Sequence, residues 1–248
     1  MISKIIHQTW KTKNIRLYSD GITGVISQDS WRRHFPNYQY KLWTDSDILK
    51  LIKEKYKFTL EAYQGLNKQI KRADLARYII LFDQGGIYSD LDFISRQPFS
   101  EKLIDEYDFI GYKAYRGYFN TQRQIYETMD RGTPNAWVLG QAFFGCRKGY
   151  APLMKTIESI VSNYKSCEHP LLHTGPEKFH QVMTNERVLC DEKTYIFSLK
   201  EMGNNEGLYG YHLRRHNWEV ETKGWLSKAF KVTKSYFLQY KKKMLNKS

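Results

Sequence analysis

Two carboxylates two positions apart, Asp90 and Asp92, lie in the segment Ile-Tyr-Ser-Asp-Leu-Asp at residues 87–92. On an extended chain, side chains at i and i+2 project to the same side. Just past the C-terminal end of a strand in an open α/β sheet, such a pair would face a ligand. Hard oxygen donors there suit Mg²⁺ or Mn²⁺ together with diphosphate oxygens. An isolated Asp-x-Asp equally describes a solvated turn, so its company decides. Asp74 and Arg77 stand three apart just upstream. On a helix they share a face. Taken alone they are a surface ion pair worth about 0.3–0.5 kcal/mol.

These residues need a scaffold, and the pattern around them supplies one. Residues 68–84 read as a helix that ends at Gly85-Gly86, a strong stop signal. Residues 87–91 then read as a short strand. Upstream, KIIHQTW (4–10) reads as a buried first strand, and 28–35 as a short helix with Ser27 as its cap. Residues 38–43 alternate as a strand. Thr44, three before Asp47, opens a helix to about residue 55 with a carboxylate version of the capping box. Downstream, 107–112 and 137–146 read as strands, and 152–162 and 176–184 as helices with proline in the first turn. Residues 194–199 and 208–213 are short strands. Strands alternating with helices predict an α/β fold around a mostly parallel sheet.

The pattern A-D-x-x-R-Y-x-x-L-x-x-x-G-G-x-Y-x-D-x-D stands here as Ala73, Asp74, Arg77, Tyr78, Leu81, Gly85, Gly86, Tyr88, Asp90 and Asp92. It resembles the core of glycosyltransferase family 32. That group includes initiating mannosyltransferases, capsular-polysaccharide sugar transferases and the glucosylating domains of clostridial toxins. KIIHQTWK, YKLWTDSDI, HTGP at 173–176 and YHLRRHNW at 211–218 resemble further family blocks. Coverage thus runs from about residue 2 to 218. Asn217 replaces the usual serine of the last block, and Arg214 replaces a common aromatic.

The resemblance implies a GT-A-type, Rossmann-like α/β/α sandwich and retaining transfer of a hexose from a UDP- or GDP-sugar. It implies a Mn²⁺ or Mg²⁺ cofactor and a glycan or lipid-linked acceptor. Carried over position by position, Asp92 ligates the metal, with His212 and Asn217 (or His216) approaching it late in the chain. Asp90 holds ribose or donor sugar, and Tyr88 accompanies it in the donor site. Asp74 and Arg77 bind donor-sugar hydroxyls. Trp10, with backbone from Gln8 and Thr9, brackets the nucleotide base. Gln141 is a polar candidate near the anomeric carbon; hydrogen bonding within the structure would explain it as well. The physical logic agrees: a nucleoside diphosphate leaving group accumulates charge, which a divalent cation stabilises, while the sugar becomes oxocarbenium-like.

Composition narrows the alternatives. The chain has 248 residues and a formal net charge of +13. A basic balance often points to polyanions, so a nucleic-acid-binding domain without catalysis is the competing reading. Residues 223–248 carry eight lysines and no acid, however, so much of the excess is local to the tail and no nucleic-acid partner is expected. A hydrolase with Asp90 and Asp92 as acid and base is disfavoured. Carboxylates tied to one face cannot flank a glycosidic bond. Three cysteines without CxxC spacing point to neither zinc nor a disulfide framework. The opening residues do not read as a signal peptide, and no run approaches the roughly 20 apolar residues of a membrane span. The expected organisation is a transferase domain over 1–222 and a basic amphipathic segment over 223–248. In that segment Leu226, Phe230, Thr233, Phe237, Tyr240 and Met244 recur at helical steps. Such a helix suits an anionic membrane surface. The expected location is cytoplasmic, peripheral on the inner face of the cell membrane.

Overall fold

A computed structural model describes residues 1–17, 21–120, 125–128, 137–166, 169–203 and 207–213, with only the backbone for 17, 117–120 and 125–128. The strands are β1 Ile5–Thr9, β2 Gln39–Trp43, β3 Gly86–Ser89, β4 Phe93–Ser95, β5 Phe109–Tyr115 and β6 Gly117–Asn120. They continue with β7 Ile125–Thr128, β8 Trp137–Leu139, β9 Phe143–Cys146, β10 Thr194–Phe197, β11 Met202–Gly203 and β12 Gly210–His212. The helices are α1 Thr23–His34, α2 Asp45–Lys55, α3 Leu60–Gly65, α4 Gln69–Gln84, α5 Lys102–Glu106, α6 Ala151–Ser162, α7 Pro170–His173 and α8 Pro176–Asn185. The tail, with Asn217, His216, Arg214 and the amphipathic stripe, lies outside the described residues.

The main sheet runs β10-β5-β9-β3-β1-β2, with β8 on β5. The pairs β1–β2, β1–β3 and β5–β10 are parallel; β3–β9, β5–β9 and β5–β8 are antiparallel. The sheet is therefore mixed, not mostly parallel. The expected strand over 137–146 is broken at Gly140-Gln141-Ala142 into β8 and β9, so β9 enters the sheet centre antiparallel. A small second sheet, β11-β12-β4, closes one end of the site.

Period-two alternation feeds two cores. Ile87, Ile110 and Phe143 pack into one layer, and their chain neighbours Tyr88, Phe109 and Phe144 into the other. The first layer holds Trp31 of α1, stacked on Phe143 at 5.6 Å and 7°. The second is covered by α2, α4, α6 and α8 through Ile48, Ile79, Ile157 and Phe179. Strands buried on both faces between helical layers make the expected α/β/α sandwich.

Local signals explain the framework. Thr44 and Asp47 form the reciprocal capping box at α2, as the spacing predicts. Helix α1 starts earlier than expected, so Ser27 is not its cap but a buried residue inside it. Helix α4 stops because Gly85 and Gly86 adopt φ of +66° and +94°. A Cβ at Gly85 would sit 2.6 Å from the Lys148 amide nitrogen, and one at Gly86 2.6 Å from the Ile5 carbonyl oxygen. Only glycine permits both the left-handed turn and this close approach.

Candidate active site

β1 and β3 run parallel and end at the same edge, where antiparallel β9 begins. Their ends place Thr9, Asp90 and Gln141 side by side. Asp90–Phe93 is a tight turn, with the Phe93 amide donating to the Asp90 carbonyl at 3.0 Å. The expected extended segment is thus replaced by a turn, and strand alternation is not what brings the two carboxylates together. Both Asp90 and Asp92 nevertheless reach one place, joined by His212 from β12. Ligand atoms of the three lie within 4.8 Å of one another.

The turn is pinned at both carbonyls. The Gln8 amide donates to the Asp90 oxygen at 3.2 Å and to Ser27 Oγ at 2.9 Å. Ser27 Oγ and Trp31 Nε1 donate to the Phe93 oxygen at 2.7 and 3.0 Å. The Tyr40 hydroxyl donates to Gln8 Oε1 at 2.6 Å, which fixes the orientation of the amide. Gln8 has no exposed surface, so its side chain serves this clamp. Leu213 donates its N–H to the Asp92 carbonyl at 2.9 Å and holds the end of β12, with His212, beside the turn.

The inner wall comes from α4. Arg77 lies 3.0 Å from Asp74 and 3.2 Å from Asp90 and donates to the Gln141 carbonyl at 2.9 Å. Its guanidinium also covers the Tyr88 ring at 4.9 Å. Asp74 accepts from Gln141 Nε2 at 2.9 Å and from Thr174 Oγ1 at 2.7 Å. The Tyr78 hydroxyl lies 2.6 Å from Gln141 Oε1 and 3.0 Å from the Thr174 carbonyl. The Tyr88 hydroxyl donates to Asp90 at 2.9 Å and meets Thr9 Oγ1 at 3.0 Å. Trp10 is half-buried at the end of β1, packed in a small cluster with Ile15 and Leu91, the residue between the two aspartates.

Electrostatics follow from burial. Loss of solvation pushes the Asp74 carboxyl up to about 6, against the pull of Arg77 and Thr174. It also raises Asp90, helped by Asp92 and opposed by Arg77 and His212. Arg77 is raised although burial opposes its charge, because Asp90, Tyr88 and Asp74 surround it. One cation among these carboxylates is the arrangement that lets charges remain buried.

The donor set fits a divalent cation. Two carboxylates and one imidazole are hard-to-borderline ligands, suited to Mn²⁺ and, through the oxygens, Mg²⁺. His212 Nε2 lies 3.1 Å from Asp92 Oδ1, so the imidazole already faces the carboxylate it would share a metal with.

Most sequence-singled residues therefore converge: Thr9, Asp74, Arg77, Tyr88, Asp90, Asp92, Gln141 and His212. Trp10 packs at the rim. Gln8 contributes from behind, and Asn217 is outside the described residues. Thr174, Tyr78, Ser27, Trp31 and Tyr40 had no assigned role. Thr174 and Tyr78 stand inside recognisable blocks and could have been suspected. Ser27 and Trp31 are one helical turn apart, and only the contact of α1 with β4 makes them relevant.

A mixed α/β sandwich with paired aspartates at a shared strand edge is the arrangement of a GT-A-type fold. Residues 25–110, which include Asp74, Arg77, Asp90 and Asp92, match the family model described as the glycosyltransferase sugar-binding region containing the DXD motif. The match thus takes in the paired aspartates and the helix α4 that precedes them. It is 44% identical over 91 residues to inositol phosphoceramide mannosyltransferase 3 of Schizosaccharomyces pombe, covering 37% of this chain and 24% of that protein. It is 31% identical over 108 residues to the initiation-specific alpha-1,6-mannosyltransferase of Saccharomyces cerevisiae, covering 39% and 21%. The chain therefore spans about a quarter of the length of these curated relatives. In fold it is similar to the PaToxG glycosyltransferase, with a TM-score of 0.52, 22% identity, and 77% and 72% of the two chains covered. The ligand-free glycosyltransferase domain of the YGT toxin follows at 0.50, 9%, 79% and 80%.

Proposed function

We propose that this chain is a metal-dependent retaining glycosyltransferase that moves a hexose from a UDP- or GDP-sugar to a glycan or glycolipid. The convergence of Asp90, Asp92 and His212 within 4.8 Å, beside the buried Asp74–Arg77 pair, carries the reading. Asp90, Asp92 and His212 hold the cation. When bound, it supplies Lewis-acid stabilisation of the departing diphosphate. Asp74 and Arg77, sealed behind the wall and bonded to Gln141, Thr174 and Asp90, act on the donor-sugar hydroxyls by holding Gln141 and Asp90 in place. Gln141 is held by Asp74 and Tyr78 at both ends of its amide, so it orients this wall. The names of the relatives support mannose as the first sugar to try.

The test is a panel of UDP- and GDP-hexoses with Mn²⁺ or Mg²⁺, scored by nucleotide release and then by transfer to glycoside acceptors. Release from one donor, abolished by EDTA and restored by metal, is the expected result. Full activity in exhaustive chelator would remove the metal reading. An α product from an α-linked donor, read from the anomeric NMR coupling, is expected; inversion would remove the retaining assignment and leave the metal site standing.

The tail belongs to the same proposal. Its apolar stripe flanked by lysines supports peripheral attachment to an anionic, cytoplasmic membrane face, where a lipid-linked acceptor would be presented. No helix among the described residues is long and apolar enough to cross a membrane. Co-sedimentation with anionic and neutral vesicles, for the full chain and one ending near Glu221, tests it. Equal recovery of both chains on anionic vesicles would discard the tail as anchor.

A further inference from the structure

Outside the donor wall, one polar groove has a volume of about 580 Å³. Arg116, Leu172, Glu177, Lys178, His180, Gln181, Thr184 and Asn185 form its lining. That volume falls in the range of small-ligand sites, roughly 300–1,000 Å³. We propose that this groove along α8 is the carbohydrate subsite for the acceptor, taking the hydroxyls of a neutral sugar or polyol ring. The proposal deepens the transferase reading and rests on it.

Two short connections tie the groove to the donor wall. Thr174, which holds Asp74 at 2.7 Å, lies three residues before Glu177. Leu139, whose N–H donates to His180 Nδ1 at 3.1 Å, lies two residues before Gln141. The 174–177 segment therefore joins the donor network to the groove, and the 139–141 segment joins that network to the His180 ring.

The groove's chemistry is that of hydroxyl recognition. Glu177 pairs with Arg116 at 3.2 Å, and both remain partly exposed, at 19% and 29%. The pair offers an acceptor and several donors without a net charge. Because His180 Nδ1 accepts from Leu139, a neutral ring carries its proton on Nε2, which has no protein partner among the described residues. Burial and Arg116 both lower the His180 pKa, which keeps the ring neutral. Trp137, edge-on at 5.3 Å and 74°, fixes the ring's plane from behind. Gln181, Thr184 and Asn185 continue the polar row along α8, and Leu172, 47% exposed, gives it an apolar edge. A row of hydrogen-bonding side chains beside an apolar edge suits the hydroxyls and C–H face of a sugar ring better than a lipid chain.

The experiment is saturation-transfer NMR on the full chain without nucleotide. The probes are methyl α-mannopyranoside, methyl α-glucopyranoside, methyl α-galactopyranoside and myo-inositol. At least one should bind the wild type. Glu177→Gln and the surface change Gln181→Ala should each weaken it by about fivefold, the loss of one hydrogen bond. Asp74→Asn, isosteric and inside the donor wall, should leave it unchanged. Melting curves identify any variant that unfolds, and Gln181→Ala on the helix surface keeps the test alive if Glu177→Gln does. Absence of binding by all four probes overturns the proposal. So does binding that ignores the groove variants, or that is lost in Asp74→Asn. Failure of the transferase reading would be seen separately, as a wild type that releases nucleotide from no donor.

Discussion

The two halves of the candidate site are built in opposite ways. The half on α4 is sealed: the Arg77 and Asp74 side chains are 3% and 1% exposed and hydrogen-bonded to Gln141 and Thr174. The half on the Asp90–Phe93 turn is more open: the Asp90 and His212 side chains are 25% and 19% exposed on either side of the buried Asp92, and ligand atoms of the three lie within 4.8 Å of one another. A neutral sugar is recognised by directional hydrogen bonds, which demand rigid donors and acceptors. A cation with its diphosphate needs accessible lone pairs, which a sealed network would already have used. The first half should therefore contribute to stability as well as binding, and the second to activity almost alone.

That contrast can be broken by mutation. Arg77→Ala leaves Asp74 buried without its cation, and unfolding should become easier by about 3–5 kcal/mol. Arg77→Lys should also be damaging, because an ammonium cannot reproduce the fork that spans Asp74, Asp90 and Gln141. Denaturant titration reads both; wild-type stability in Arg77→Ala would mean that the pair is dispensable to the fold. Asp92→Ala should instead lower transfer by about 10²–10³-fold, the range for losing one preorganised electrostatic group, with little change in the denaturation midpoint. A large stability loss there would erase the distinction between the halves.

A third test compares the site with the scaffold beneath it. His7 on β1 accepts from Trp43 Nε1–H at Nδ1 (3.0 Å) and donates from Nε2 to the Gly85 carbonyl (3.0 Å). Burial lowers its pKa to about 4 from 6.5. The unfolded chain thus takes the proton first, so this contribution is intact above pH 6.5. It is lost as the pH falls towards 4, by about 3 kcal/mol in all. Asp74, raised to about 6, works in the opposite direction over part of that window. The diagnostic is therefore the difference between wild type and His7→Gln, whose stability should lose the acid-side decline. Parallel pH profiles for the two proteins would show that His7 is not the group responsible.

The smallest effect concerns the clamp behind the turn. Ser27→Ala removes one donor to the Phe93 carbonyl and one acceptor for Gln8, while Trp31 and the Asp90 carbonyl keep their contacts. A loss of about 1 kcal/mol, or roughly 2–4 °C in Tm for a chain of this size, is expected. Activity should fall further than that stability change explains, since the turn carries both aspartates. Unchanged kinetics would assign Ser27 to packing alone.

Much of this was legible in the residues themselves. The Gly85-Gly86 stop is local backbone chemistry, and the Thr44–Asp47 cap is a reciprocal bond three residues long. The i, i+3 spacing of Asp74 and Arg77 follows from helical geometry. The sequence alone therefore determined the α/β alternation, the boundaries of α2 and α4 and the identity of the charged residues on and after α4, but not the start of α1. Other features depended on contacts far apart in the chain. Whether β9 runs antiparallel into the centre depends on pairing Gly86 with Cys146, which no local pattern encodes. Whether Asp90 and Asp92 converge in a turn depends on Gln8, Ser27 and Trp31, up to 82 positions away. Thr174 meets Asp74 across 100 positions. Local periodicity specifies which way a side chain faces along its own element; only the packed sheet decides which other elements it meets there.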